Sequence, residues 1–442
     1  MSETAEAGQA VTSGAQAPPP PSTARGGDSS ASLALQIARS NVLVVILAFI
    51  LAFLIGSLLI LVADEDVRAS SAYFFARPGD TIAAGWSAIT EAYAAMFRGA
   101  VYNTNADTVS AGLRPLTETL TVATPLIIAS AGMAVGFRAG LFNIGGTGQL
   151  IVGAMAAGYV GFSMNLPAGI HLIAALVAGV VAGGIWGGIA GFLKAWRGAN
   201  EVISTIMLNW IATWGLAFAL TTVAFTSAAS NQPISPPVAA SAQIPTLIPG
   251  TRLHLGLLIA LLSLVFLWWL MSRSTLGFRF RAVGSNPRAA EVAGIDAGRS
   301  AFGVMLTAGA LVGLAGAVHI LGTEHRLTGG IAGTVGFDAI TVALLGRSGP
   351  VGILLAGLLF AGLTTGGRFM ETTQGVPLDL VHVLQALVVL LIAAPPLVRA
   401  LVGLRFVDRP RRPRRNRRNR SDTPGGRRSG GSTAAPATGE QA

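Results

Sequence analysis

Glu118, Thr119, Thr121 and Thr124 interrupt one apolar stretch of this chain, Asn143, Thr147 and Gln149 open a second, and Asp338 and Thr341 mark a short one. Asn200, Glu201, Ser204, Thr205 and Asn209 fall at spacings that put most of them on one face of a helix. Each such group costs several kcal/mol, by order of magnitude, if left unpaired in lipid, so a chain keeps it for a reason. Amides and hydroxyls outnumber the charges, a set suited to hydrogen bonding with an uncharged solute rather than to carrying an ion. Glu118, Asn143, Gln149, Ser204, Thr205, Asn209 and Asp338 are therefore the candidate lining of a solute path. Hydrogen bonding between helices is the competing account of each.

Covalent and metal chemistry lack their residues. The sequence holds no cysteine, which removes disulfides and thiolate metal sites. Its one lysine, Lys194, lies between Phe192-Leu193 and Ala195, without the glycine-rich backbone and hydroxyl that cradle phosphates, so ATP hydrolysis is not expected on this chain. His171, His254, His319, His325 and His382 are scattered, and the pair His319 and His325 has no carboxylate at metal-ligand spacing. No catalytic residue, metal ligand or bound cofactor is assigned.

A second feature carries mechanical rather than chemical meaning. From about Met271 to Arg299 an arginine-rich stretch separates two strongly apolar segments, and its core reads Gly-Ser-Asn-Pro-Arg-Ala-Ala-Glu-Val-Ala-Gly-Ile-Asp. A polar, cationic helix at that place in a membrane protein is a docking surface on the cytoplasmic side.

The elements that must position these groups follow from composition. Hydrophobic residues make up 52% of the 442 and charged residues only 11%, more apolar surface than a soluble fold can cover. Several runs reach the roughly 18 residues that span a hydrocarbon core of about 30 Å. The class is an all-α, polytopic transmembrane bundle, with about ten spans near 41–63, 116–136, 142–163, 167–193, 201–224, 253–271, 300–321, 336–346, 350–367 and 379–402. The span at 336–346 is short enough for a half-helix or re-entrant arm, broken at Gly346-Arg347-Ser348-Gly349-Pro350. With both termini cytoplasmic, Arg138, Lys194 with Arg197, the cluster Arg273, Arg279, Arg281, Arg288 and Arg299, then Arg347 and the tail all fall on the inner side of a prokaryotic plasma membrane, as the positive-inside rule asks of each inner turn. Between the spans, Thr81 to Arg98 reads as a surface helix, and 225–252, with five prolines, as an extended loop. Gly179, Gly183, Gly187 and Gly191 line one helix face, where a neighbouring backbone can approach closely.

The tails are of another kind. Residues 1–40 read as a disordered tail, 41–404 as the transmembrane domain with its loop at about 272–299, and 405–442 as a disordered arginine-rich tail. From Arg399 onward twelve arginines face three acids, which accounts for nine of the ten net positive charges. Such a segment is held near anionic lipid headgroups, and no nucleic-acid partner is expected.

Three motifs occur in order: Ala134-Val-Gly-Phe-Arg-Ala-Gly-Leu-Phe-Asn-Ile-Gly-Gly-Thr-Gly-Gln149, Asn200-Glu-Val-Ile-Ser-Thr-Ile-Met-Leu-Asn209, and Gly284-Ser-Asn-Pro-Arg-Ala-Ala-Glu-Val-Ala-Gly-Ile295. Together they resemble permease subunits of ABC importers, more narrowly the simple-sugar and nucleoside branch of permeases related to branched-chain amino-acid importers. The resemblance runs from about Thr81 to Leu401. It implies a permease that pairs with a second, paralogous permease, binds a cytoplasmic ABC ATPase that carries the ATP, and receives solute from an extracytoplasmic substrate-binding lipoprotein. Asn286, Arg288, Ala289, Ala290, Glu291, Ala293 and Gly294 would form the ATPase-coupling helix, the small residues seating it in a groove and Arg288 with Glu291 pairing across it. Where the family usually has Glu after the Gly-Gly pair, this chain has Thr147. Nucleosides are the favoured solute, a simple sugar the alternative. An ion-coupled secondary transporter is the rival from another class, but Glu118, Glu201 and Asp338 lie near the ends of the predicted spans.

Overall fold

A computed structural model describes residues 41–227 and 232–401. Both tails read from the sequence lie outside the described residues.

The described chain is a helical bundle: α1 (Asn41–Ala63), α2 (Glu65–Ser71), α3 (Pro78–Ala100), α4 (Val109–Gly112), α5 (Arg114–Arg138), α6 (Gly146–Ser163), α7 (Ile170–Arg197), α8 (Glu201–Ala219), α9 (Gly256–Arg273), α10 (Thr275–Ser285), α11 (Pro287–Val292), α12 (Ala297–His319), α13 (Val335–Leu345), α14 (Pro350–Gln374), α15 (Leu378–Ala393) and α16 (Pro395–Leu401). Seven stretches among the described residues are long and apolar enough to cross a membrane: α1, α4 with α5, α7, α8, α9, α12 with the π-turn that follows it, and α14. The 18-residue α6 and the shorter α13 and α15 occupy the other three stretches read from hydropathy.

Local chemistry sets the boundaries. Asn200, Ser274, Asn286 and Asp296 each cap a helix by accepting a backbone N–H in its first turn. Gly198 ends α7 in the left-handed region at φ 68°. The expected break after α13 is present: Arg347 and Ser348 adopt φ of 50° and 52°, and Pro350 starts α14. At 11 residues α13 is about 16 Å long, half a membrane.

The centre of the bundle is α5 and α12, whose apolar windows are 83% and 72% buried, against 22–50% for the other spans. The glycine stripe of α7 packs directly on α12: a Cβ at Gly183 would strike Gly313, and one at Gly187 would meet the Met305 carbonyl and Gly309. A second apolar cluster joins α1, α3, α14 and α15 through Ala52, Ala95, Leu363 and Leu384.

Two expectations change. The helix predicted at Thr81 to Arg98 is not a free surface element: α3 buries Ala92, Ala95, Met96, Gly99 and Ala100, with Gly99 against Phe369 and Met96 against Gly366 of α14. The bulky Ile82, Trp86 and Phe97 point outward instead, because close helix packing in an apolar solvent selects small residues. The proline-rich loop is extended but not idle. Its backbone N–H groups at Ser235, Val238 and Ile244 donate to Leu327, His325 and Leu321, tying it across the end of α12.

Candidate translocation path and coupling surface

Asn143, Gln149, Thr205 and Asn209 form one buried knot where α5 gives way to α6. The Asn143 and Gln149 amides exchange hydrogen bonds at 3.1 and 3.2 Å. Asn143 Oδ1 also accepts from Gly145 N at 2.9 Å, and Thr205 Oγ1 accepts from Ile144 N at 3.3 Å. Asn209 clamps the same turn from α8, accepting from Gly148 N and donating to the Ile144 carbonyl, both at 2.8 Å. The knot thus satisfies backbone that neither helix can, a requirement wherever irregular chain lies at membrane depth. Beside it, Lys194 pairs with Glu201 at 2.7 Å. Asn209→Leu would orphan both clamped groups at about 1–3 kcal/mol each. The variant is expected to unfold at markedly lower temperature in detergent, read by a thermal-shift assay.

Glu118 and Asp338 belong to a different place. A cavity of 240 Å³ opens between α5, the π-turn after α12, the segment leading into α13, and α14, and Thr121, Arg252, His319, Glu324, Asp338 and Arg368 are on its wall. Arg252, from the proline-rich loop, bridges Glu118 at 3.6 Å and Glu324 at 3.7 Å. These pairs are half-exposed, so they hold the mouth of the cavity without adding much stability. His254 keeps a neutral tautomer here, since its Nδ1 accepts from Gly256 N at 3.0 Å while Nε2 faces Thr323 Oγ1 at 3.0 Å. Burial pushes the His325 imidazole below its ordinary value, with Arg252 adding to the effect and Glu324 opposing it.

Between the two places stands the start of α13. Gly336 touches Thr147 and Gly146 at the first turn of α6, leaving no room for a Cβ. On the side of the knot away from the cavity, Gly284 at the end of α10 lies against the backbone of Ala139 and Gly140. The loop helix α10, with α11 following directly from its end, is therefore keyed backbone to backbone to the α5–α6 turn.

On α11 itself Asn286 caps the helix by accepting from Ala289 N at 3.1 Å. Arg288, Ala289, Glu291, Ala293 and Gly294 are exposed, and Gly294 turns the chain at φ 80°. Ala290 departs from expectation: it is 4% exposed and turns inward, so it cannot be part of a docking face. Val292, which the sequence reading passed over, is 91% exposed.

The family model for the permease component of branched-chain amino-acid transport systems matches residues 116–393. The chain belongs to that family. Among curated relatives, the permease is 38% identical to a guanosine ABC transporter permease protein of Bacillus subtilis over 82% of its own length and 96% of the relative's. It is 36% identical to a glucose ABC transporter permease protein of Haloferax volcanii over 66% and 79% of the two chains. A second guanosine ABC transporter permease protein of Bacillus subtilis is 26% identical over 55% and 78%. No solved structure matches. The permease is a membrane-embedded transport subunit of an ABC system.

Of the predicted path residues, four meet in the knot and two at the cavity, while Ser204 lies half-buried on α8 beside Thr205. The polar groups of the knot are spent on one another and on backbone; at the cavity Asp338 is on the wall, and Glu118 stands beside it through its bridge to Arg252. The sequence reading missed Arg252 and Glu324, which join Glu118 from 134 and 206 residues away in a way no local spacing signals.

Proposed function

We propose that the permease imports nucleosides across a prokaryotic plasma membrane, with both termini cytoplasmic, as one half of a pair of permeases driven by a cytoplasmic ATPase. The observation that carries the reading is the exposed α10–α11 loop locked against the α5–α6 turn. A push on that loop reaches Ala139 and Gly140, then the knot, then Gly336 and the half-helix that walls the cavity. Such a chain of rigid contacts is what rocking of helices around a fixed path requires.

Nucleosides are favoured over sugars because the guanosine relative is matched along 96% of its length, the glucose relative along 79%. The two guanosine permease proteins of one organism, at 38% and 26% identity, support a paralogous rather than identical second permease. An extracytoplasmic lipoprotein would deliver the solute to the cavity mouth at Arg252, and the arginine-rich tail would hold to anionic lipid on the cytoplasmic side. Ion coupling is disfavoured: among the described residues Glu118 is paired to Arg252 and Glu201 to Lys194, so of the three candidate acids only Asp338 has no ion-pair partner, and one acid alone makes no relay.

Reconstituted in liposomes with ATPase, second permease and lipoprotein, the chain is expected to drive uptake of labelled guanosine that requires ATP and ignores an uncoupler. ATP-independent uptake by this chain alone would overturn the assignment.

A further inference from the structure

Asp338 is an acid on a cavity wall with, among the described residues, no cation paired to it. It sits in the first turn of α13, two residues from the Gly336–Thr147 contact, and its carboxylate is on the wall of the 240 Å³ cavity. Among the described residues its only side-chain hydrogen bond comes from Thr334, whose hydroxyl donates to Oδ2 at 2.6 Å. Among the described residues no cationic nitrogen lies within ion-pairing distance of it; Arg368 of α14 shares the cavity wall, and His382 of α15 acts on it only through its field. A carboxylate on a cavity wall with no cation paired to it keeps acceptor capacity for a solute.

Resting on the nucleoside reading above, we propose that Asp338 selects the base of the solute, and that the solute class is a purine nucleoside with a ring N–H beside an exocyclic amine, the 2-amino-6-oxo pattern. A carboxylate only accepts, and its two oxygens match two parallel N–H donors. The 2-amino-6-oxopurine edge presents those two donors side by side; adenine sets an acceptor next to its amine, and a 6-oxopurine without the 2-amino group has one donor. The Thr334 hydroxyl occupies one lone pair of Oδ2 and fixes the plane of the carboxylate. Thr328, exposed on the same wall, supplies a hydroxyl for the ribose.

The test is saturation-transfer NMR on the purified assembly of both permeases and the ATPase, without the lipoprotein, so that the permease's own preference is read. Wild type is expected to bind guanosine about tenfold or more tightly than inosine or adenosine, since a site built for a donor rejects the analogue lacking it. Asp338→Asn exchanges one acceptor for a donor, so guanosine should weaken by about tenfold or more while xanthosine, which carries a 2-oxo group, gains. Asp338→Glu keeps both acceptors and should keep the order guanosine over inosine. Equal weakening of all four nucleosides by Asp338→Asn, no change, or wild-type binding without discrimination would overturn the role of Asp338. Binding of glucose with no nucleoside bound would instead overturn the nucleoside reading.

Discussion

Gly313→Val is expected to leave almost no folded permease in detergent extracts, by fluorescence-detected size-exclusion chromatography. Gly313 is where three helices meet: a Cβ there would collide with the Gly179 carbonyl and the Gly183 Cα of α7, and Gly153 of α6 approaches the same spot. The obstructing atoms are backbone, so no side chain can rotate away and the helices must separate. Overpacking of a well-filled core typically costs about 1–3 kcal/mol, and a branched residue against main chain on two sides belongs at the top of that range or above. The glycine stripe was legible in the sequence as close packing, yet its partner was not, because nothing in the spacing of Gly179, Gly183 and Gly187 says which helix will approach. Gly215, exposed on α8 with open space around it, is the contrast. Gly215→Ala should raise the unfolding temperature slightly, since alanine favours a helix by about 1 kcal/mol over glycine. A folded Gly313→Val protein with wild-type melting would show that the α7–α12 interface can open at no cost.

What the sequence revealed and what it hid divide along a physical line. Lipid forces each crossing to satisfy its own backbone, so the stretches that became α1, α5, α7, α8, α9, α12 and α14 could be read from apolarity alone, as could the break at Gly346 to Pro350. Caps are equally local: Asn286 and Asp296 announce their helices within three residues. Sidedness of a helix is harder. The apolar Ile82, Trp86 and Phe97 are the bulky residues of α3, but in an apolar solvent bulk does not mark the inside, and Ala92, Ala95 and Gly99 carry the packing face. The inward turn of Ala290 is hidden for a different reason: a six-residue helix has no periodicity to say which alanine turns inward. The cavity mouth was hidden altogether. Arg252 reaches Glu118 and Glu324 only because the proline-rich loop folds over the end of α12, an outcome of tertiary contacts such as Val238 to His325.

Val292→Asp is expected to abolish co-purification of the ATPase while leaving the permease folded, at wild-type yield and melting temperature. Val292 is 91% exposed at the end of α11, next to the small exposed residues Ala289, Ala293 and Gly294. A protruding apolar side chain ringed by small ones is the shape of a knob for a groove, and truncating such a central anchor commonly costs about 2 kcal/mol or more of binding. An aspartate does worse, since it carries a charge into a seat built for valine. Folding should be indifferent, because the caps at Asn286 and Asp296 and the Gly284 contact do not involve this side chain. Ala290→Asp gives the opposite pattern: at 4% exposure a carboxylate there has no solvent, so the loop unravels and the protein melts early. The two variants separate docking from folding, which either alone would confuse. On the proposed coupling route, Val292→Asp is expected to keep the force of the ATPase from reaching Gly284, so that the α5–α6 turn and the half-helix beyond it stay at rest and ATP-driven uptake stops. Wild-type co-purification and uptake by Val292→Asp would move the coupling surface off α11.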